Sequence, residues 1–100
     1  MEKFKVEITQ QAESDLASIA EFIAQDNPLW AIEFTRKLQD KITSRLSELP
    51  TQYRLFNAYR VMTYASYLVI FSVNEDAKQV VVLGICNSAH YTRYKQILFE

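Results

Sequence analysis

The stretch Tyr67–Ile85, which reads YLVIFSV-NEDAK-QVVVLGI, decides the fold of this chain. Two runs rich in β-branched and aromatic residues flank a short polar segment, and such residues fit the buried positions of a pleated sheet. The stretch therefore predicts an antiparallel β-hairpin. Because both runs are apolar at nearly every position, we expect helices on one face of the sheet and a different cover on the other. That second face is where we expect function.

The first half of the chain predicts one strand and two helices. Residues 4–8 alternate apolar and polar, as in a half-buried strand. Thr9 is placed to cap a first helix, and Asn27-Pro28 is placed to start a second helix that Pro50 ends. Apolar residues recur at helical spacing in both: Ala12, Leu16, Ile19 and Ile23, then Ala31, Phe34, Leu38, Ile42, Leu46 and Leu49. Two helices with so short a joint form an antiparallel hairpin.

The second half predicts the rest of the sheet. Residues 51–57 have the composition of a loop, and residues 58–64 alternate again before the hairpin begins. The tail that follows is expected to be a short helix or a mobile end. The order β-α-α-β-β-β predicts an α+β fold, with the helical hairpin on one face of an antiparallel sheet. We expect a single domain over residues 1–100.

The totals narrow the classes of function. The chain is 49% apolar, which is enough for a core, and its net charge of −1 does not attract nucleic acid as a whole. A single cysteine, Cys86, rules out an internal disulfide and favours a reducing compartment. No apolar run has the length of a membrane span, and the first residues lack a secretory signal. We therefore expect a cytoplasmic protein without a membrane partner.

Four stretches carry a resemblance to a known family: FKVEITQQAESDL (4–16), FIAQDNP (22–28), Arg60 followed by YLVIFSV (67–73), and VVVLGI (80–85). Together they resemble the ParE/RelE toxin superfamily of bacterial type II toxin–antitoxin systems, also known as plasmid stabilisation proteins. The resemblance implies a small α+β toxin that a partner antitoxin wraps and inactivates. RelE-like members cleave mRNA on the ribosome, whereas ParE-like members poison DNA gyrase. The EITxxAExDL start (7–16) is more similar to the ParE branch.

The chain departs from the family pattern at positions that bear on RNA cleavage. Leu68 and Gly84 stand where many members carry arginine, and Asn87-Ser88 stands where the family has a His-Gly pair. RNA cleavage without a metal needs an acid, a base and cations that stabilise the developing charge. The departures remove several such groups, so the resemblance favours a gyrase inhibitor over an efficient nuclease.

Several residues have side chains that could supply this chemistry. His90, Arg60 and Tyr94 are the catalytic candidates if the chain is a nuclease, and Arg54, Arg60, Tyr91 and Arg93 are the binding candidates. Each has a plainer alternative. His90 could be an exposed tail residue, the tyrosines could pack a terminal helix, and the arginines could be scattered surface charges, with Arg60 in an ion pair to a helix.

Other residues that often carry chemistry do not indicate a cofactor. No metal-binding, phosphate-binding or dinucleotide-binding motif is present, so no cofactor or metal is expected. Cys86 has no paired cysteine or adjacent basic residues, which favours a buried apolar role over a reactive thiol. Trp30 opens the second helix, and we interpret it as a lid on the core or a partner contact.

The sequence thus leaves three hypotheses for function. The first is a toxin, neutralised by a cognate antitoxin, that inhibits DNA gyrase. The second is an mRNA endonuclease that acts on the ribosome, and the third is a decayed toxin that only binds antitoxin. A homodimer, or a heterotetramer with the antitoxin, is expected as the assembly.

Overall fold

The computed structural model describes residues 3–87, which form one five-stranded sheet and two helices. The elements are β1 (Lys5–Ile8), α1 (Gln10–Ala24), α2 (Pro28–Glu48), a 3-10 turn (Pro50–Gln52), β2 (Leu55–Phe56), β3 (Tyr59–Tyr64), β4 (Tyr67–Asn74) and β5 (Gln79–Asn87). This order confirms the predicted α+β fold. The prediction for the tail beyond Asn87 lies outside the described residues. No helix within residues 3–87 is both long and apolar enough to cross a membrane.

Both helices begin where the sequence predicted. The Thr9 hydroxyl accepts a hydrogen bond from the Ala12 N–H at 3.2 Å, and the Asn27 amide oxygen accepts one from the Trp30 N–H at 3.0 Å. Each bond satisfies an N–H that the first helical turn leaves unpaired. Pro28 stands at the first position of α2, where its missing N–H removes no helical bond.

The sheet has the strand order β1-β5-β4-β3-β2. β2 to β5 pair antiparallel, as predicted, while β1 joins β5 in parallel from Lys5 with Gln79 to Ile8 with Val82. The two helices return the chain so that β1 lies beside the last strand instead of the next one in sequence. The pairing with β1 thereby brings the first half of β5 close to the start of α1.

Two details differ from the sequence prediction. The predicted loop 51–57 contains part of the 3-10 turn and the two-residue strand β2, which is too short to show an alternating pattern. Leu49 was placed on the buried face of α2, but it is half exposed because the helix ends at Glu48.

A two-residue turn at Ala65 and Ser66 joins β3 to β4, with Tyr64 opposite Tyr67. Paired residues point to the same face of a sheet. Even-numbered residues of β3 therefore share a face with odd-numbered residues of β4, and Arg60 lies opposite Phe71. Ala65 has a φ of 53°, in the left-handed region that is costly for a residue with a Cβ.

A β-bulge shifts the faces of β5. Phe71 pairs with Val82 and Ile70 pairs with Gly84, so Leu83 is the extra residue. Below the bulge Val80 and Val82 face the helices, and above it Ile85 does so; all three are buried in the main core. The bulge therefore keeps large side chains on the helical side along the whole strand, where strict alternation would have placed Gly84.

The core lies between the helical hairpin and one face of the sheet, called here the covered face. Its fully buried side chains include Leu38, Ile42 and Leu46 of α2 and Val69 and Phe71 of β4. The opposite face, called here the second face, has its own smaller cluster around Ile70, with half-buried neighbours: Phe56, Tyr59, Val61, Leu83 and Cys86. Among residues 3–87 no helix lies on this face.

Candidate functional site

β1 ends at Ile8, but β5 continues for five residues past its last partner in β1. Thr9 and Asp15 form the hydrogen bonds to the backbone of β5 that β1 does not extend far enough to make. The Thr9 hydroxyl donates to the Val82 carbonyl at 2.8 Å, and the Thr9 N–H donates to the same carbonyl at 3.2 Å. Asp15 accepts from the Ile85 N–H at 2.9 Å through Oδ2. Backbone groups on both sides of the bulge are thereby satisfied by the start of α1, as buried polar groups require.

Asp15 is a buried carboxylate, with only 5% of the residue exposed. Its Oδ1 accepts a hydrogen bond from the Gln11 side-chain amide at 2.9 Å, which adds to the bond from Ile85. Burying a charged group is costly unless it is hydrogen-bonded. Asp15 is therefore well placed as a structural tie between α1 and β5.

Asp15 and Ile85 also line an open cleft of about 270 Å³, called here the α1–β5 cleft. Its walls come from α1, the start of β4 and the end of β5: Asp15, Ser18, Ile19, Phe22, Tyr67, Ile85, Cys86 and Asn87. Phe22 is 68% exposed and gives the rim of the cleft a large apolar side chain. The described part of this lining is largely apolar and includes no lysine, arginine or histidine, so it is suited to an apolar side chain.

An aromatic row extends from the cleft across the N-terminal end of α2. The Tyr67 ring lies 5.5 Å from the Phe34 ring, and Phe34 lies 5.8 Å from Trp30. Trp30 is 42% exposed, and the neighbouring Leu29 is 79% exposed. The prediction for Trp30 as a lid on the core is consistent with its contact to buried Phe34, and its exposed part leaves room for a partner contact.

Arg60 is half-buried and binds backbone carbonyl groups. Its Nη1 donates to the carbonyl oxygens of Thr51 at 3.1 Å and Tyr53 at 2.6 Å. The guanidinium thereby fixes the segment between α2 and β2, and Tyr53 in turn packs its ring edge-on against Phe71. These two bonds are a structural role that the sequence analysis did not propose, and the predicted roles of Arg60 in binding and catalysis stay predictions.

Of the other predicted site residues, only Arg54 lies within the described residues, where it directly precedes Leu55, the β2 partner of Arg60. Arg54 is exposed and lies 5.2 Å from the centre of the Phe56 ring, in a cation–π contact. His90, Tyr91, Arg93 and Tyr94 lie outside the described residues. The proposed catalytic and binding set therefore stays a prediction.

Arg60 and Leu68 lie on opposite faces of the sheet, although both numbers are even. Arg60 pairs with Phe71 on the covered face, whereas Leu68 pairs with Thr63 and Cys86 on the second face. The turn at Ala65 and Ser66 reverses the parity between the two strands. The side chains of Arg60 and Leu68 therefore point away from each other across the sheet.

Sequence reasoning missed the roles of Asp15 and of the Thr9 hydroxyl toward β5. A signal for Asp15 was present: it lies three residues after Ala12 and four before Ile19, on the buried face of α1. A lone acid on an apolar helical face predicts a buried partner. Among residues 3–87, no group of three or more acidic, histidine or cysteine side chains is arranged to hold a metal ion.

Two solved structures have folds similar to that of this chain. One is a toxin–antitoxin complex, RelBE2 from Mycobacterium tuberculosis, with a TM-score of 0.69, 15% identity and coverage of 87% of this chain and 93% of that chain. Another is a chromosomal ParDE toxin–antitoxin system from P. aeruginosa, with a TM-score of 0.71, 18% identity and coverage of 84% and 95%. At these identities the likeness establishes the fold alone.

Comparison by sequence gives the family. No curated protein matches the chain. The family described as "ParE toxin of type II toxin-antitoxin system, parDE" matches residues 6–90, which is most of the chain and includes the Thr9–Asp15 tie, both helices and all five strands apart from the first residue of β1. The chain therefore belongs to the ParE toxin family of type II toxin–antitoxin systems.

Proposed function

We propose that this chain is a toxin that a cognate antitoxin holds inactive and that acts, when free, by inhibiting DNA gyrase. The observation that carries the proposal is the family match over residues 6–90. The two structural neighbours described above are themselves toxin–antitoxin systems, which supports an antitoxin as the partner. The cytoplasm is the expected location, because both candidate targets, gyrase and the ribosome, are found there.

The α1–β5 cleft is the proposed place where the antitoxin docks. It is open, mostly apolar, and bordered by the exposed side chain of Phe22. An amphipathic helix or an extended segment with one large apolar side chain suits such a groove. Binding of this kind stabilises the toxin by mass action and raises its melting temperature. A heterotetramer of two toxins and two antitoxins, or a toxin homodimer, is the expected assembly.

Leu68 supports gyrase over mRNA as the target. RNA cleavage develops negative charge at the scissile phosphate, and one preorganised donor is worth about 10²–10³ in rate. Position 68 carries no donor, and Arg60 is on the other face with its Nη1 bonded to Thr51 and Tyr53. β4 therefore lacks the arginine that many family members carry at this position and that an RNase site would use.

Ribosome-dependent mRNA cleavage stays the alternative, with His90 as acid or base and with Tyr94 and Arg60 as the other catalytic candidates. Arg54, Tyr91 and Arg93 would then bind the RNA. A decayed toxin that only binds antitoxin is the third hypothesis. The three hypotheses predict different outcomes in cells that express the chain.

The test is expression of the chain with and without the adjacent open reading frame. Gyrase inhibition predicts growth arrest with a DNA-damage response and, with purified protein, loss of supercoiling by gyrase. Cleavage of mRNA at the ribosomal A-site that disappears in His90→Ala would replace this proposal with the alternative. If growth is not arrested and the chain binds the neighbouring gene's product tightly, gyrase inhibition is excluded and the decayed toxin that only binds antitoxin is supported.

Leu68→Arg sharpens this test. The substitution restores a guanidinium at the strand position where many relatives have one. If the chain is a nuclease that lost one donor, programmed ribosomes should be cut faster by this variant than by the unaltered chain. Gyrase inhibition predicts that cleavage stays absent in both. Thr63→Arg places the same charge on the same face at the paired position of β3 and serves as the matched control.

A further inference from the structure

A second recess lies on the opposite flank of α2 from α1, and it is distinct from the α1–β5 cleft. It has a volume of about 350 Å³ and is lined by Lys37, Asp40, Lys41, Ser44 and Tyr64. We call it the basic groove. Lys37 and Lys41 are one helical turn apart on the exposed side of α2, so their ammonium groups lie over the same strip of surface. Tyr64 of β3 forms the facing wall.

The positive charge of this groove is not cancelled by its own acid. Its lining has two lysines and one acid, Asp40, and the Arg36 guanidinium adds a further positive charge beside that acid, with Arg36 Nη1 at 3.7 Å from Asp40 Oδ2 on exposed side chains. The two lysines are thus left as the dominant charges, with the Ser44 and Tyr64 hydroxyls as further donors. Carboxylates accept hydrogen bonds from ammonium and hydroxyl groups, and such charge-assisted bonds are the strong ones.

The groove continues into exposed apolar surface. The Lys37 ammonium lies 5.5 Å from the centre of the Trp30 ring in a cation–π contact, which orders the ammonium at the edge of the groove. Trp30 and Leu29 are substantially exposed. A ligand that matches both parts carries carboxylates beside a large apolar side chain.

That combination favours a peptide over a nucleic acid. A nucleic-acid site tracks a phosphate backbone with many cations, whereas this groove offers two lysines within one turn and the whole chain has a net charge of −1. Two cations flanked by a tryptophan suit a short acidic segment with an aromatic or aliphatic anchor.

We propose that the basic groove binds an acidic segment of the antitoxin, with its carboxylates between Lys37 and Lys41 and an apolar side chain on Trp30. This inference rests on the proposed toxin function and adds a second contact to the one at the α1–β5 cleft. The groove gives the complex its electrostatic steering and its salt dependence.

The experiment measures the dissociation constant of the purified product of the neighbouring gene for three forms of this chain. They are the unaltered chain, Lys37→Glu with Lys41→Glu, and the control Lys3→Glu with Lys5→Glu, whose exposed lysines lie two residues before β1 and at its first residue. Both pairs change the net charge equally. The groove pair should weaken binding at least about tenfold and flatten its salt dependence, while the control pair stays within about threefold.

Trp30 supplies an independent readout, because it is the only tryptophan in the chain. With fluorotryptophan in this chain alone, its ¹⁹F resonance should shift when the partner binds and should shift much less in the groove variant. Circular dichroism melting shows whether each variant is folded, and a folded groove variant that binds normally overturns the inference.

Other outcomes separate the competing occupants. Equal weakening by both charge pairs would show long-range attraction without a groove and would overturn the inference, as would lysine-dependent binding of a single-stranded oligonucleotide or lysine-dependent dimerisation in sedimentation. If the unaltered chain fails to bind the neighbouring product at all, the antitoxin proposal fails and this inference fails with it. If the unaltered chain binds the neighbouring product and the groove variant binds it equally tightly, this inference fails while the antitoxin proposal stands.

Discussion

The covered face and the second face of the sheet are built from alternating residues of the same strands, yet they differ in how they are buried. On β4, Val69 and Phe71 point to the helices and are fully buried, whereas Leu68 points to the second face and is only half-buried. The covered face is completed by two amphipathic helices. On the second face, only Ile70 of its cluster is fully buried.

The polar groups divide in the same way. The covered face is tied by internal hydrogen bonds, from Asp15 to β5 and from Arg60 to the segment before β2. The second face carries the position where relatives have arginine and this chain has Leu68. The comparison teaches that charged residues of this chain can serve the fold on one face, so a charge near the sheet is not by itself a sign of catalysis.

The largest expected effect is the loss of stability when a charge is placed on the covered face, compared with the same change on the second face. Leu38→Asp buries an unpaired carboxylate in a site with no exposure and should cost several kcal/mol, comparable to the total stability of a small domain. Val61→Asp on the half-buried second face should cost clearly less, because water reaches the new carboxylate. Urea unfolding measures both. Equal losses would show that the two faces are equally closed.

The same experiment extends to the first helix. Leu16 is half-buried against the core, so Leu16→Asp is expected to fall between the other two variants. Cooperative unfolding of Leu38→Asp near the parent midpoint would contradict the assignment of the α2 stripe as core.

The next effect concerns Asp15. Asp15→Ala leaves the Ile85 N–H without its acceptor and should cost about 1–3 kcal/mol. Asp15→Asn keeps an acceptor oxygen and should lose less. The control is Glu13→Ala on the exposed side of α1, with an expected change within about 0.5 kcal/mol. Hydrogen exchange reads the bond directly: the Ile85 amide should lose protection in Asp15→Ala. Unchanged exchange there would show that Asp15 is not the tie between α1 and β5.

A similar test separates structure from catalysis at Arg60. Arg60→Met removes the bonds to the Thr51 and Tyr53 carbonyls and should cost about 1–2 kcal/mol, because the side chain is only half-buried. Arg54→Met removes a surface cation–π contact and should cost about 0.5–1 kcal/mol. Limited proteolysis should cut the 50–56 segment faster in Arg60→Met. Loss of toxicity without any loss of stability would instead return Arg60 to the functional site.

The helix boundaries could be predicted from sequence because their signals are local. Thr9 and Asn27 accept hydrogen bonds from residues three positions ahead, so sequence spacing contains the whole interaction. The strands of the Tyr67–Ile85 hairpin were predictable for the same reason, since the polar turn separates two runs of residues that favour sheets.

The bulge at Leu83 could not be predicted. The stretch VVVLGI (80–85) is apolar or small at every position, so no alternation marks the point where the strand changes face. The partners of Arg60 are carbonyl oxygens, which every residue carries, and sequence gives no sign of which ones a guanidinium will reach. The parallel pairing of β1 with β5 joins residues more than seventy positions apart, and it depends on the packing of both helices.

The smallest expected effect comes from the turn that assigns residues to the two faces. Ala65 has a φ of 53°, where its Cβ is unfavourable. Ala65→Gly removes that cost but adds flexibility to the unfolded chain, so the net gain should be about 0.5 kcal/mol. Asn57 has a φ of 55° in the turn before β3, and asparagine already tolerates this region. Asn57→Gly should therefore change stability by less than Ala65→Gly. A stabilised Ala65→Gly with unchanged Asn57→Gly in urea unfolding would support the left-handed turn that places Arg60 and Leu68 on opposite faces, and a destabilised Ala65→Gly would contradict it.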